Sequence, residues 1–478
     1  MRLIPWLLGL WVLVSLPLSA QTQEEIVGRI EQGLTPPVLI EGESAVRWNV
    51  AERMAFHHVP GLSAAVVRGG TIVWAKGYGV LEAGRPEQVS ATTLFQAASI
   101  SKPVASMGAL RLVAQGIMKL DEDVNEKLKS WRVPADDFTK IEKVTSRRLL
   151  SHSAGLTVHG FRGYADGETL PSLIQILNGT RPANSAAVRV DVTPGSIWRY
   201  SGGGFTVMQQ LMMDATGMEF PALMRNLVLE AIGMNRSTYE QPLPAASRAR
   251  AGCGHRSDGR VVKGLWHTYP EMAAAGLWTT PTDLALFAIE LREEARGCSS
   301  KVLTQEMART MLTLQKQDYG LGVRIQGQGK SLRFSHGGGN EGYRCFLVMY
   351  EESGDGAVIM TNGDAGDQLF LEFLRSIATE YGWLDYRQER KKVVAVPTNT
   401  LKLYEGSYDL GGDKFRFKLE GDSLWLDLEW RPRVKLFPES ESRFFAAEDN
   451  IPTVTFLRNE TVVIDQIELM GRTGRRSQ

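Results

Sequence analysis

The sequence predicts an α+β fold followed by a small all-β barrel. Within residues 21–390, β-rich runs stand near both ends and a mostly helical stretch, about residues 99–315, lies between them. That order predicts one antiparallel sheet flanked by helices, with a helical subdomain. From Tyr404 onward the helical pattern is missing, and apolar and polar residues alternate in short runs. Several short alternating runs are typical of an antiparallel barrel or sandwich.

Four β-rich runs and one helix define the predicted sheet domain. Residues 62–68 and 71–78 are separated by a Gly-Gly pair, which predicts a hairpin. Residues 344–350 and 357–361 are joined by a polar turn and predict a second hairpin. Residues 367–381 carry apolar side chains at helical spacing and are followed by a glycine. Because the hairpins lie far apart in the chain, we expect the sheet to be closed by distant segments.

The C-terminal region shows a period of two. Residues 414–419 and 424–430 alternate between apolar and polar side chains, and residues 454–457 and 462–469 are further candidate strands. A basic run and Pro397 precede this change of pattern. We therefore expect one domain over residues 21–390 and a β-barrel domain over residues 395–478.

The first twenty residues have the order of a secretory signal peptide. Arg2 precedes an apolar stretch over residues 3–18, and Ser19-Ala20 offers a small-residue cleavage site. An uncleaved membrane anchor is the alternative. The apolar stretch is short for a span, and it contains two prolines. We expect cleavage near Ala20 and an exported periplasmic or secreted protein, with no stable membrane span after cleavage.

The composition excludes several classes of protein. Lys plus Arg and Asp plus Glu both number 54, so the net charge is zero and offers no surface for nucleic acid. A hydrophobic fraction of 43% excludes wholesale disorder. Three cysteines are too few for a disulfide scaffold. In an oxidising compartment we expect that Cys253 and Cys298 could pair, while Cys345, inside an apolar run, stays buried.

The tetrapeptide Ser99-Ile-Ser-Lys102 is the first candidate for chemistry. Pro103 follows it and begins a run of apolar residues at helical spacing, and proline is tolerated only in the first helical turn. The hydroxyl and the amine should therefore lie one turn apart at a helix N-terminus. A serine becomes nucleophilic when a base takes its proton, and a lysine with a lowered pKa can be that base. A capping serine beside a solvated lysine is the alternative.

Two further segments carry candidate site residues. Tyr200 lies on a glycine-flanked loop before a predicted apolar helix over residues 205–215, where its phenol could reach a substrate or simply pack in the core. His336 is followed by three glycines, Gly337 to Gly339, which allow a substrate backbone to approach closely. A flexible loop is the alternative there. His152 is expected in a turn, without a role as a base.

Other hydrolase motifs are missing from the chain. It has no G-x-S-x-G elbow and no H-E-x-x-H pair, which disfavours an α/β-hydrolase and a zinc hydrolase. The three segments together resemble the serine β-lactamase and penicillin-binding-protein superfamily, in its class C-like branch of D-amino-acid peptidases, esterases and β-lactamase-related hydrolases. The stretches that carry the resemblance are residues 95–110, 149–156, 194–204, 270–281 and 336–342. The C-terminal region from Tyr404 is similar to the lipocalin-like barrels appended to some of these hydrolases.

The resemblance implies a β-lactamase/transpeptidase-like fold and a role for each motif residue. Ser99 would be the acylated nucleophile, Lys102 its neighbouring base and Tyr200 the proton shuttle. The strand beginning at His336 would border the substrate and replace K-T-G by an H-x-G motif that includes Gly338. The backbone N–H groups of Ser99 and Gly339 would form the oxyanion hole. The family requires no metal and no cofactor.

Two departures from the family pattern bear on the substrate. Gly202 stands where Y-x-N has asparagine, and His336 replaces a permanently charged lysine. Both changes argue against an efficient β-lactamase. We expect an exported serine hydrolase that acts through an acyl-enzyme on a small-molecule ester or a D-amino-acid-containing peptide. An inactive relative that binds cell-wall fragments, and an acyltransferase with the same site, remain as alternatives.

Overall fold

The computed structural model describes residues 22–428, 431–449, 451, 453–458, 464–469 and 471–477. The expected signal peptide, residues 1–20, lies outside these described residues, as do parts of two predicted barrel strands. None of the helices in the described ranges is both long and apolar enough to span a bilayer.

The strands belong to a six-stranded sheet, a barrel and two short pairs. In chain order they are β1 Val38–Ile40, β2 Gly61–Arg68, β3 Thr71–Gly79, β4 Phe95–Gln96, β5 Trp278–Thr279, β6 Arg324–Gln326, β7 Arg333–Asn340, β8 Tyr343–Tyr350, β9 Gly356–Thr361, β10 Glu389–Lys391, β11 Gly406–Leu410, β12 Asp413–Glu420, β13 Ser423–Leu428, β14 Arg431–Pro438, β15 Arg443–Ala446, β16 Val454–Arg458, β17 Ile464–Leu469 and β18 Arg472–Ser477.

The α-helices lie mainly between β3 and β6. In chain order they are α1 Gln23–Glu31, α2 Val50–Phe56, α3 Ser101–Ala114, α4 Asp137–Ile141, α5 Ser146–Leu150, α6 Leu173–Asn178, α7 Gly202–Thr216, α8 Phe220–Met224, α9 Glu230–Ile232, α10 Ala245–Arg248, α11 Met272–Ala275, α12 Pro281–Arg296, α13 Gln305–Met311, α14 Gly366–Glu380 and α15 Thr398–Lys402. A short 3-10 turn, Ala98–Ile100, leads into α3.

The large sheet is antiparallel throughout, in the strand order β3-β2-β9-β8-β7-β6. Strand β2 pairs with β9, so segments almost 300 residues apart lie side by side, as predicted. One face packs against the helical region, including α3, α7 and α12. The other face is covered by α1, α2 and α14. Burial on both faces explains the nearly continuous apolar runs of β2 and β9. The prediction of an antiparallel sheet flanked by helices is confirmed.

Helix α3 is central to the helical region. It begins at Ser101, with Pro103 in its first turn, and Gly116 follows its end with a φ of +73°. Left-handed backbone of this kind favours glycine, as the sequence indicated. Almost every side chain of α3 is buried, so this helix is fixed by packing along its whole length.

Helix α7 starts earlier than the periodicity predicts. The sequence indicated a helix over residues 205–215, whereas α7 already begins at Gly202. Its N-cap is Ser201, whose hydroxyl accepts a hydrogen bond from the N–H of Gly204 at 2.9 Å. The cap offsets the low helix propensity of the glycines, which are themselves buried.

The C-terminal strands β11 to β18 close into an eight-stranded antiparallel barrel. Closure is achieved by pairing of β18 with β11, so the barrel has no free edge. Its interior is filled by aromatic and branched side chains, among them Tyr404, Tyr408, Phe417 and Phe456. The prediction of a small all-β barrel is confirmed.

Strands β1 and β10 and helix α14 connect the barrel to the sheet domain, and Val38 and Ile40 of β1 pack against Phe445 of the barrel. Strand β1 pairs in parallel with β10, just before the barrel. Arg375 of α14 forms an ion pair with Asp449 of the barrel, with a nitrogen–oxygen distance of 2.5 Å and side chains only 6% and 11% exposed.

The expected pairing of Cys253 with Cys298 is wrong, because both thiols are free. Cys253 is buried, and its sulfur lies 3.8 Å from the carboxylate of Glu82. Cys298 is exposed just after the end of α12. Cys345 is buried, as expected from its apolar surroundings.

Candidate active site

Ser99 lies in the 3-10 turn between β4 and α3. Strand β4 pairs with β5, and the N–H of Ala97 donates to the carbonyl of Leu277 at 2.8 Å. The Ser101 hydroxyl donates to the carbonyl of Ala98 at 2.6 Å and accepts from the N–H of Leu277 at 2.9 Å. These bonds hold the turn on both sides of Ser99. The first N–H groups of such a turn have no partner within it, so the Ser99 N–H can serve a ligand.

The backbone immediately before Ser99 is strained. Ala98 has a φ of +49°, in the left-handed region that residues with a Cβ rarely adopt. Such a conformation costs about 1–3 kcal/mol and persists only where surrounding contacts enforce it. The strain turns Ser99 toward the cavity between the turn and β7, whose lining includes Ser99.

Lys102 is positioned to act on the Ser99 hydroxyl. Its Nζ lies 3.0 Å from Ser99 Oγ and 2.8 Å from the carbonyl oxygen of Ala274, at the end of α11. The side chain is buried, with 2% of its surface exposed. Burial lowers the pKa of Lys102 to about 7. Among the described residues no acid forms an ion pair with Lys102, so burial determines the direction of this shift and makes the neutral amine accessible near pH 7.

Tyr200 covers Lys102 from the other side. The Lys102 Nζ lies 4.9 Å from the centre of the Tyr200 ring. Burial raises the pKa of Tyr200 above its usual value, while the nearby Ser99 hydroxyl acts in the opposite direction. The phenol therefore stays protonated and can donate to a leaving group. Lys102 is thus the better base of the two.

Strand β7 borders the cavity with three consecutive glycines. The sequence left open whether residues 337–339 form a loop, and the structure places them within β7, paired with β8. A Cβ on Gly338 would lie 2.3 Å from the carbonyl oxygen of Ala97 and 2.4 Å from the sulfur of Cys345. Only glycine permits β7 to approach the Ser99 turn so closely. Gly339, the expected second oxyanion donor, lines the same cavity as Ser99.

His336 lines the cavity with an uncharged side chain. Its Nδ1 lies 2.6 Å from the carbonyl oxygen of Gly337, and its Nε2 lies 2.8 Å from the hydroxyl of Tyr319. Burial lowers the pKa of His336 to about 3, and the charge of Lys102 acts in the same direction. The imidazole therefore cannot replace the positive charge of a lysine at this position.

His152 lies in a turn, as the sequence indicated, but it is also part of the site. Its ring centre is 4.2 Å from that of Tyr200, and its Nδ1 accepts a hydrogen bond from the N–H of Ser201 at 3.1 Å. Burial lowers its pKa well below the usual value, and the charge of Lys102 adds to this. His152 therefore supports the Tyr200 ring, and the lone pair of its Nδ1 is engaged by the Ser201 N–H.

Arg324 brings a positive charge into the site. A cavity of about 520 Å³ is lined by Ser99, Tyr200, Tyr319, His336 and the β7 glycines, and Arg324 is its one permanently charged lining residue among the described residues. Its Nε lies 3.5 Å from a carboxylate oxygen of Asp318, and the side chain is 45% exposed. That single long ion pair leaves the outer guanidinium nitrogens available to a ligand.

Sequence reasoning missed Tyr319 and Arg324. Tyr319 begins the segment Tyr-Gly-Leu-Gly, and its glycine-flanked setting is similar to that of Tyr200. That similarity could have identified Tyr319 as a candidate site residue. No sequence feature identifies Arg324, because an arginine on a short strand is ordinary. The carbonyl of Ala274 is likewise invisible in a sequence, since every residue has one.

Comparisons with known proteins identify the family of the chain. The family model described as "Beta-lactamase" matches residues 46–378. Penicillin-binding protein 4* of Bacillus subtilis is 23% identical over 414 residues, covering 79% of this chain and 86% of its own length. Esterase EstB of Burkholderia gladioli is 30% identical over 233 residues, covering 46% of this chain and 58% of its own length.

Solved structures share the fold. The octameric penicillin-binding protein homologue from Pyrococcus abyssi superposes with a TM-score of 0.62 at 22% identity, covering 89% of this chain and 98% of that one. The D-alanine carboxypeptidase AmpC from Burkholderia cenocepacia superposes with a TM-score of 0.56 at 16% identity, covering 74% and 99%. The family match spans more than half of the chain and includes Ser99, Lys102, Tyr200 and His336. The chain therefore belongs to the beta-lactamase family.

Proposed function

We propose that the protein is an exported serine hydrolase that acts through an acyl-enzyme on an ester or a D-amino-acid-containing peptide. The observation that carries the proposal is the 3.0 Å contact between Lys102 Nζ and Ser99 Oγ, with the Lys102 pKa at about 7. A buried lysine that is half neutral at pH 7 is a competent base for a neighbouring serine. The names of the relatives, an esterase and penicillin-binding proteins, support the same class of reaction.

The proposed reaction has two halves. Ser99 Oγ attacks the substrate carbonyl carbon while Lys102 Nζ takes the hydroxyl proton. The tetrahedral intermediate collapses, the bond to the alcohol or amine breaks, and the leaving group receives a proton through the Tyr200 hydroxyl. Water then attacks the acyl-enzyme and releases the acid and Ser99. The N–H groups of Ser99 and Gly339 are proposed to stabilise the oxyanion in both halves.

The charge of the site favours an anionic substrate. His336 is neutral, whereas Arg324 supplies a permanent charge in the cavity. We propose that Arg324 holds a carboxylate of the substrate through charge-assisted hydrogen bonds. The charge therefore comes from β6 and not from the K-T-G position of β-lactamases, and it suits an ester or a peptide that carries a carboxylate.

The proposal also includes the organisation of the chain. A leader over residues 1–20 would direct export, a hydrolase domain would extend to about residue 390, and the barrel would begin near residue 395. Described residues from the barrel do not line the cavity that contains Ser99. The small-molecule substrate would therefore be bound by the hydrolase domain.

Intact mass after treatment with a fluorophosphonate tests the proposal. We expect one stoichiometric adduct on the folded protein and none on Ser99→Ala, because only an activated serine displaces the fluoride. A folded protein that acquires no adduct would favour a binding protein without catalysis. Labelling that persists in Ser99→Ala would show that a different residue is the nucleophile.

A further inference from the structure

One wall of the cavity beside Ser99 is apolar, and the reaction does not require it. It consists of Phe346 on β8, Leu371 on α14 and Tyr386, which follows α14 in the chain. We call these three residues the apolar wall. All three are half-buried, so each presents part of its side chain to the cavity.

Gly337 opens the path from Ser99 to the apolar wall. It pairs directly with Phe346 across the β7–β8 ladder, so the two positions share a face of the sheet. A Cβ on Gly337 would meet no atom closer than 3.9 Å, and one of its two neighbours at that distance is the Phe346 ring. Close packing requires a glycine at position 338 but not at position 337. The missing side chain of Gly337 leaves the Phe346 ring uncovered at the edge of the cavity.

Tyr386 is held in the apolar wall at a conformational cost. Its φ is +61°, which is unfavourable for a residue with a Cβ. The Arg333 Nε donates a hydrogen bond to its hydroxyl at 3.3 Å, and its ring contacts that of Phe346 edge-on with centres 5.9 Å apart. Phe346 in turn stacks on Phe370 of α14, with ring centres 5.5 Å apart. These contacts make the wall a fixed surface.

We propose that the apolar wall is a specificity subsite that binds an aromatic or other large apolar group of the substrate. The inference rests on the proposed function and narrows its substrate class. A substrate that reaches across Gly337 would place its apolar group on Phe346, between Leu371 and Tyr386, while its reacting carbonyl lies at Ser99. Burying a ring there favours binding by about tenfold or more relative to a methyl group.

Two fluorophosphonates that differ only in carrying a methyl or a phenylethyl group test the subsite. The second-order rate constant for Ser99 labelling should be at least about tenfold larger for the phenylethyl reagent. Leu371→Ala and Gly337→Leu should reduce this ratio toward one, the first by removing apolar surface and the second by covering Phe346. Leu384→Ala is the matched control, because Leu384 is 65% exposed and lies outside the cavity lining.

The result separates the two proposals. Equal rate constants for the two reagents, or a ratio unaffected by Leu371→Ala and Gly337→Leu, would overturn the subsite while leaving the nucleophile intact. If neither reagent labels Ser99, the proposed function fails. Saturation-transfer NMR with 3-phenylpropionate on Ser99→Ala then tests the wall alone. We expect transfer to the ring protons that is lost in Ser99→Ala/Leu371→Ala, and an absence of transfer in Ser99→Ala would overturn the subsite.

Discussion

The hydroxyl of Tyr319 and the Nε2 of His336 are 2.8 Å apart, and this contact fixes the state of the imidazole. A carbonyl can only accept, so Nδ1, which faces the Gly337 carbonyl at 2.6 Å, carries the proton. In the neutral ring Nε2 is then the acceptor, and Tyr319 is the donor. Tyr319 is thus a positioning residue that acts through His336.

Tyr319→Phe should remove the hydrogen bond to His336 Nε2 while the Gly337 carbonyl keeps the proton on Nδ1. The imidazole then loses one of its two anchors, and the rate constant for Ser99 labelling should fall by about tenfold, the effect of one lost hydrogen bond. The ¹⁵N shift of His336 Nε2 reports the lost hydrogen bond directly. Tyr386→Phe removes a hydroxyl from the same cavity without touching His336 and should leave that shift in place. An unchanged shift in Tyr319→Phe would refute the assignment.

The pH dependence of acylation should follow Lys102. Only the neutral amine can take the Ser99 proton, and its pKa is about 7. The rate constant for labelling should therefore rise about tenfold per pH unit below pH 7 and level off above it. Lys102→Met should lower the rate by about a thousandfold. A flat profile between pH 5.5 and 8.5 would show that Lys102 is not the base.

The same lysine should reduce the stability of the fold at low pH. Its folded-state pKa lies below the ordinary value of 10.5, so the unfolded chain binds more protons between these two values. The destabilisation is complete below pH 7 and disappears as the pH rises toward 10.5. Lys102→Met should therefore have a higher Tm than the wild type at pH 6, with a difference that shrinks at pH 9. Calorimetry at both pH values checks the sign.

Arg324→Gln should discriminate between charged and neutral substrates. We expect kcat/KM for a p-nitrophenyl hemisuccinate to fall by about tenfold or more, and that for the p-nitrophenyl butyrate by less, because only the first carries a carboxylate. Arg260→Gln, at an 83% exposed arginine outside the cavity lining, is the control. An equal loss for both esters would mean that Arg324 supports the fold and does not bind a carboxylate.

Gly337 and Gly338 of β7 should differ in how well they tolerate substitution by alanine. Gly338→Ala would press a methyl group against the Ala97 carbonyl and push β7 away from Ser99. A displaced oxyanion donor typically costs 10²–10³ in rate, and we expect labelling to slow by roughly a hundredfold. The Cβ of Gly337→Ala would meet no atom closer than 3.9 Å, so this variant should have a much smaller effect. Far-UV circular dichroism shows whether both variants remain folded, and equal losses would contradict the close approach of β7.

Asp449→Asn should destabilise the protein by about 3 kcal/mol, because it removes the carboxylate that is paired with buried Arg375. The exposed pair of Arg458 with Glu441 provides the comparison, since Glu441→Gln should cost less than about 1 kcal/mol. Urea denaturation measures both. Similar small changes in the two variants would show that the buried pair contributes little.

The sequence predicts the Ser99–Lys102 pair because Pro103 restricts where a helix can begin and the apolar periodicity restricts its face. The sequence does not predict several of the other residues that line the cavity. Tyr319, Arg324 and Tyr386 come from segments outside regular helical patterns, and only the tertiary fold brings them to Ser99. The hairpins of the sheet are predictable from turn residues, whereas the parallel pairing of β1 with β10 has no local signal.

The cysteine expectation failed for a related reason. The positions of the cysteines in the chain and an oxidising compartment allow a disulfide, but the bond forms only if the fold brings the two sulfur atoms together. Cys253 is enclosed beside Glu82 and Cys298 is exposed after α12.

The two glycine runs are more regular in the structure than their sequence predicts. Residues 202–204 lie outside the helix that the sequence predicts, and residues 337–339 allow a flexible loop. Each run nevertheless lies in a regular element, because the Ser201 cap and the β7–β8 ladder supply hydrogen bonds that no propensity scale includes.

The parallel pairing of β1 with β10 has an evolutionary consequence. It places a strand from near the start of the described chain beside the strand that follows α14, just before the barrel begins. A C-terminal module could be gained, lost or exchanged at that point without altering the strand order of the catalytic sheet. The exchange would still require a compensating change at Arg375, whose charge is matched to a carboxylate of the present barrel.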